Sequence, residues 1–127
     1  MEIKVSVGEL LDKITILEIK KNKIQDPVKL ANITKEYDYL FQKLKEYDII
    51  RDSFKRYYKD LLEVNMELWD IEDGKRLCEL NQDFGDHFVQ LARQVYIKND
   101  LRASIKKNIN IYYGSEIVEE KSYTKYD

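Results

Sequence analysis

The sequence predicts an all-α fold: four long helices in two antiparallel hairpins that form a bundle. Three observations point that way. Four long segments repeat apolar residues at the three-and-four spacing of a helix. The 127 residues include only four Gly and one Pro, too few for the many turns of an all-β fold. Capping residues also stand at the boundaries of those segments. The length fits one domain spanning 1–127, large enough to build a core without disulfides.

Met1 to Val7 alternates, with Ile3, Val5 and Val7 on one side, and is expected as a short extended arm (1–7). Ser6 and Glu9 form a capping box that opens the first helix, which runs to about Ile24. Leu10, Leu11, Ile14, Leu17 and Ile24 share a face of it, whereas Ile16 and Ile19 fall opposite. A helix apolar on two faces is either central in its bundle or covered by a second subunit.

Asp26-Pro27 is the clearest local signal: an N-cap followed by proline at the first helical position. The second helix, to about Lys45, has one clean stripe of Leu30, Ile33, Tyr37, Leu40, Phe41 and Leu44, as an outer helix should. Glu46–Arg51 is a connector. Asp52 or Ser53 then caps a third helix reaching about Asn81, with Phe54, Tyr57, Leu61, Val64, Leu68 and Ile71 in register. Gly74 inside it costs about 1 kcal/mol relative to Ala. Asn81–Gly85 is a turn, and a fourth helix runs to about Tyr113, where Gly114 can stop it. The tail, 115–127, carries Ile117-Val118 and then charge, and is expected to be extended and to pair with the N-terminal arm. Ten Tyr, several in the stripes, suit helix interfaces where the hydroxyl reaches water.

The most informative segment is Phe88–Asn110. Phe88, Leu91, Ala92, Val95 and Tyr96 lie on one helical face, and the same line continues as Asn99, Arg102, Lys106 and Asn110. Polar groups on a core-facing stripe are costly unless paired, so they mark either an internal network or a site. Glu18 breaks the pattern of the first helix in the same way. On the third helix Asn65, Glu72, Lys75 and Glu79 fall near the apolar line, with Arg76 at its edge; Arg93 flanks the apolar half of the fourth.

Each has a plain structural reading. Glu72 and Arg76, at i and i+4, can pair on a solvated surface. Glu18 can be a buried carboxylate held by Arg93 or Arg102. The functional reading is a pocket between helices for an anionic ligand. Arg102 would grip a carboxylate or phosphate with its planar fork and Lys106 would add a point charge. Asn99 and Asn110 would orient neutral oxygens, with Arg93, Glu72 and Arg76 as further ligand-binding candidates. Glu18 is the one catalytic candidate, as an acid or base whose proton affinity burial would raise.

Other chemistries find little support. His87 follows Asp83 and Asp86, but acidic residues at a helix start have a dipole explanation, so no metal site is expected. Glu116-x-x-Glu119 has no second copy to build a magnesium site. There is no Gly-rich phosphate loop, nucleophile elbow or Cys-His pair, and no cofactor is implied. Cys78 is the only cysteine and reads as a small buried hydrophobe. A net charge of −2 argues against a nucleic-acid partner. Without a signal peptide or a membrane-length apolar run, no membrane association and a cytoplasmic location are expected.

The chain also resembles a family of small bacterial and phage proteins of unknown function. The resemblance is carried by Val5-Ser6-Val7-Gly8-Glu9-Leu10, Asp12-Lys13-Ile14-Thr15-Ile16-Leu17-Glu18-Ile19-Lys20 and Lys29-Leu30-Ala31-Asn32. It continues in Leu68-Trp69-Asp70-Ile71-Glu72-Asp73, Asp83-Phe84-Gly85, Leu91-Ala92-Arg93-Gln94-Val95-Tyr96, Asn99-Asp100-Leu101-Arg102-Ala103 and Val118-Glu119-Glu120-Lys121-Ser122-Tyr123. It covers nearly the whole chain apart from Lys45–Arg56. It implies an all-helical protein and genes lying near sugar-transfer and surface-polysaccharide functions, and it implies no catalytic residues.

Two functional expectations follow. The first is a non-catalytic helical association module acting as a homodimer, because Ile16 and Ile19 would otherwise be exposed. The alternative is a small-molecule site, binding or catalytic, in the polar half of the bundle and selective for an anionic ligand such as a phospho- or nucleotide-sugar.

Overall fold

A computed structural model of the chain describes residues 1–115. The expected tail beyond Ser115, with Glu116, Ile117-Val118 and Glu119, lies outside the described residues. Four helices make up the described chain: α1 (Val7–Lys23), α2 (Pro27–Glu46), α3 (Phe54–Leu80) and α4 (Asp86–Tyr113). None is long and apolar enough to cross a membrane.

The local signals act as chemistry predicts. Ser6 caps α1 by accepting a hydrogen bond from the Glu9 N–H (3.1 Å), and Val7, assigned above to the arm, is the first helical residue. One Asp26 carboxylate oxygen accepts from the N–H groups of both Val28 and Lys29 ahead of α2. Gly114 ends α4 in the left-handed region at φ 63°, where a Cβ would be strained. Ser53 occupies the cap position of α3 but makes no side-chain cap bond.

α1 packs against each of the other three helices, and α3 packs against α4 along an antiparallel hairpin. The register of that hairpin shows in Tyr57 beside Tyr112, the Glu67–Lys98 ion pair, and Gly74 against Leu91. A Cβ at Gly74 would stand 3.0 Å from a Leu91 methyl, so the residue that weakens the helix also lets the two helices close together. α1 is therefore the central helix. Ile19 is 2% exposed and Ile16 is half-buried within the single chain. The second apolar face of α1 is filled internally, which removes the reason first given for a dimer.

The core joins Leu11 and Ile14 of α1, Leu44 of α2, Ile49 of the connector, Tyr57, Leu61 and Val64 of α3, and Ile109 of α4. The hairpin contributes only its Phe54–Val64 and Ile105–Tyr113 ends to this cluster, flanking residues included. Its far half is different. From residue 66 to 108 the only buried side chain is Cys78.

Candidate functional site

The polar stripe of α4 meets the N-terminal half of α1, and the meeting point is Asp12. This carboxylate is 1% exposed. Arg102 grips it with both ends of its fork: Nε donates to Oδ1 (2.8 Å) and Nη2 to Oδ2. Asn65 of α3 donates through Nδ2 to the same Oδ1 (3.0 Å) and to Thr15 Oγ1 (3.0 Å). Thr15 in turn donates to the Asp12 backbone carbonyl (2.7 Å). Lys106 sits 3.8 Å from Asp12 Oδ2 and donates to Glu9. Arg102 Nη1 reaches Asn99 Oδ1 at 3.4 Å.

This is a hub in which two cations face two carboxylates. An ionised carboxylate removed from water is costly, and the bidentate Arg102 contact with an added amide is the geometry that compensates it. No buried side-chain nitrogen or oxygen among the described residues lacks a hydrogen-bond partner.

Asn110 serves a neighbouring purpose. Its Oδ1 accepts from the Gly8 N–H at 2.7 Å. Val7 N–H donates to Ser115 Oγ (3.0 Å), so the first three N–H groups of α1 are satisfied by Ser115, Asn110 and Ser6. A Cβ at Gly8 would stand 2.6 Å from the Lys106 carbonyl oxygen and 2.9 Å from Asn110 Oδ1. Only glycine permits α1 to start this close to α4. Glu9, which the capping box places in the first turn of α1, pairs with Lys106.

The other candidates lie apart. Glu18 accepts a hydrogen bond from Tyr58 Oη (3.2 Å); Arg102 is engaged by Asp12, and Arg93 is exposed. Burial, then the Glu18 carboxylate, then Tyr37 push the Tyr58 hydroxyl well above the ordinary tyrosine range, so it stays a proton donor. Glu72 and Arg76 are exposed on α3, and Glu72 pairs with Lys75 (3.6 Å) in place of Arg76. The structure thus gathers Asn99, Arg102, Lys106 and Asn110 against the N-terminal half of α1, around Asp12 and Gly8, and leaves Glu18, Glu72, Arg76 and Arg93 away from it.

Sequence reasoning missed Asp12, the centre of the arrangement. A signal was present: Gly8, Asp12, Thr15 and Ile19 share one face of α1, and three of them are small or polar. No group of His, Cys, Asp and Glu able to hold a metal ion occurs among the described residues.

Two shallow grooves lie on the surface. One of about 650 Å³ between α3 and α4 is lined by Arg56, Tyr57, Asp60, Ile105, Asn108, Ile111 and Tyr112. Another lies along α2, from Pro27 to Asp38. Neither contains Arg102 or Lys106.

No curated protein and no solved structure matches the chain. A family of unknown function, DUF6165, matches residues 1–126. With that match over nearly its whole length, the chain belongs to the DUF6165 family.

Proposed function

We propose that this protein is a non-catalytic association module that works as a homodimer. The observation that carries the reading is the uncovered hairpin. Over residues 66–108 the α3–α4 pair buries only Cys78, while Leu77, Leu80, Phe84 and Val89, near its tip, are 47–77% exposed. Single exposed apolar residues are ordinary, but a run of them along two packed helices is a surface that association would cover. Two hairpins pairing into a four-helix bundle is a common way to do so.

The hub supports this reading over an anion pocket. At Arg102 a phosphate or carboxylate would meet a guanidinium already held by Asp12 through Nε and Nη2, and displacing Asp12 would leave it buried without its bidentate partner. Sedimentation equilibrium of the wild-type chain over the micromolar range tests the proposal. A mass of twice 15.3 kDa that falls on dilution is expected. A monomer at every concentration, with a thermal shift induced by a phosphorylated sugar, would replace association with the ligand reading.

A further inference from the structure

α3 carries two apolar stripes, and the fold covers one of them. Phe54, Tyr57, Leu61, Val64, Leu68 and Ile71 form the first, and its first four members belong to the core or pack against it. Leu62, Met66, Trp69, Leu77 and Leu80 form the second. Together with Asp73 and Arg76 they fall within an arc of about 100°, whose centre lies roughly 140° from that of the first stripe. Gly74, which meets Leu91, lies outside the arc, so the second stripe faces away from α4 as well. Leu62, Met66 and Trp69 are half-buried, while Leu77 (59% exposed) and Leu80 (77%) are the most exposed of the apolar residues near the tip. Leu62, Met66, Trp69, Asp73, Arg76 and Leu80 recur at alternating steps of four and three, the spacing of a helix that packs along a second helix.

Asp73 and Arg76 are the polar members of that repeat, and both are exposed. Among the described residues neither makes an ion pair or a side-chain hydrogen bond, whereas Glu72 beside them pairs with Lys75 (3.6 Å). An acid and a base one turn apart in an otherwise apolar row are complementary to the same row reversed. A second α3 laid antiparallel, about an axis between Gly74 and Lys75, sets Asp73 of each copy against Arg76 of the other. The same axis sets Trp69 of each copy against Leu80 of the other. A parallel arrangement would oppose Asp73 to Asp73 and Arg76 to Arg76, and like charges disfavour it.

We infer that this stripe of α3 is where a second copy of the chain docks, antiparallel, with reciprocal Asp73–Arg76 ion pairs at its centre and Trp69–Leu80 contacts on either side. Polar groups within an apolar row fix register and direction in paired helices. The contact is isologous, so it closes at the dimer and leaves no repeating surface to propagate. The inference rests on the association reading, takes in its Leu77 and Leu80, and adds the helix, the direction and the register.

Sedimentation equilibrium tests it on the wild type, Leu80→Glu, Asp73→Arg, Arg76→Asp, the doubly reversed Asp73→Arg/Arg76→Asp protein and Asp73→Asn. Lys35→Glu, on α2, controls for a change of charge elsewhere and should dimerise like the wild type. Leu80→Glu should weaken the dimer about thirtyfold or more, as loss of an apolar anchor does. Each single reversal sets like charges together twice in the dimer and should weaken it about tenfold or more. The double reversal rebuilds both pairs and should bring the dissociation constant back to within about threefold of the wild type. Asp73→Asn should weaken the dimer, because it leaves Arg76 of the other copy without its partner. Every substituted position is exposed, so the unfolding of dilute, monomeric protein should match the wild type and report an intact fold. A wild-type dimer indifferent to Leu80→Glu and to both reversals would overturn the docking face and leave association standing. Single reversals that the double one does not rescue would overturn the register, and a dimer tightened by Asp73→Asn would overturn the antiparallel direction. A wild-type monomer at every concentration would overturn the face and association together.

Discussion

The two ends of the α3–α4 hairpin are built from similar residues and treated differently by the fold. At the end near Tyr57 and Ile109, α1 crosses the hairpin and α2 closes over α1, so Leu11, Leu44, Leu61 and Ile109 are fully buried. At the end near Leu80 and Phe84, the helices have only each other, and Leu77, Leu80 and Val89 remain about half exposed or more. Burial depends on what the chain places over a residue as much as on the residue itself. A stripe that reads as core in sequence becomes core only where a third helix arrives. In the same way, α4's polar stripe is no defect where α1 arrives, since α1 brings Asp12 to meet it.

The sharpest way to break this comparison is to make one substitution at both ends. Leu61→Ala should cost about 2–5 kcal/mol in denaturant unfolding, because it leaves a cavity in a closed core. Leu80→Ala, 77% exposed, should change stability by no more than about 0.5 kcal/mol. Equal costs would mean that the far half is as well packed as the near one.

A smaller effect probes the join between α1 and α4. Asn110→Ala removes the acceptor of the Gly8 N–H and should cost about 1–3 kcal/mol, as an unsatisfied buried donor does. Unfolding that matches the wild type would mean that water replaces the amide there. The smallest effect is confined to high pH. The Tyr58 hydroxyl is raised in the folded state, so above the ordinary tyrosine value of about 10 the unfolded chain loses that proton first. Stability should therefore fall as pH rises through and beyond that value, and Tyr58→Phe should remove this part of the alkaline loss. A Tyr58→Phe protein with the parent's alkaline profile would show that Glu18 and burial do not hold the proton.

Much of the fold was legible because its boundaries are written in local chemistry. Ser6, Asp26-Pro27 and Gly114 each act within a few residues of themselves, and the structure uses all three where the sequence puts them. The polar stripe was legible too, because helical spacing alone aligns Asn99, Arg102, Lys106 and Asn110. What these residues face was not. Asp12 lies 90 residues from Arg102, and nothing in helical periodicity says that α1 will cross the hairpin there. Glu18 was assigned to an arginine for the same reason, and it found Tyr58. The two apolar faces of α1 were visible, but only the arrangement of all four helices makes α1 central.

The account rests most heavily on Arg102 serving Asp12 rather than a ligand, and a double-mutant cycle in denaturant unfolding tests this directly. Arg102→Ala leaves a buried carboxylate without its principal partner and should cost about 3–5 kcal/mol. Adding Asp12→Asn to that variant removes the stranded charge, so the second substitution should restore part of the lost stability. Arg102→Ala with wild-type stability, or a second substitution that only adds its own cost, would contradict the hub and return Arg102 to the list of residues waiting for a ligand.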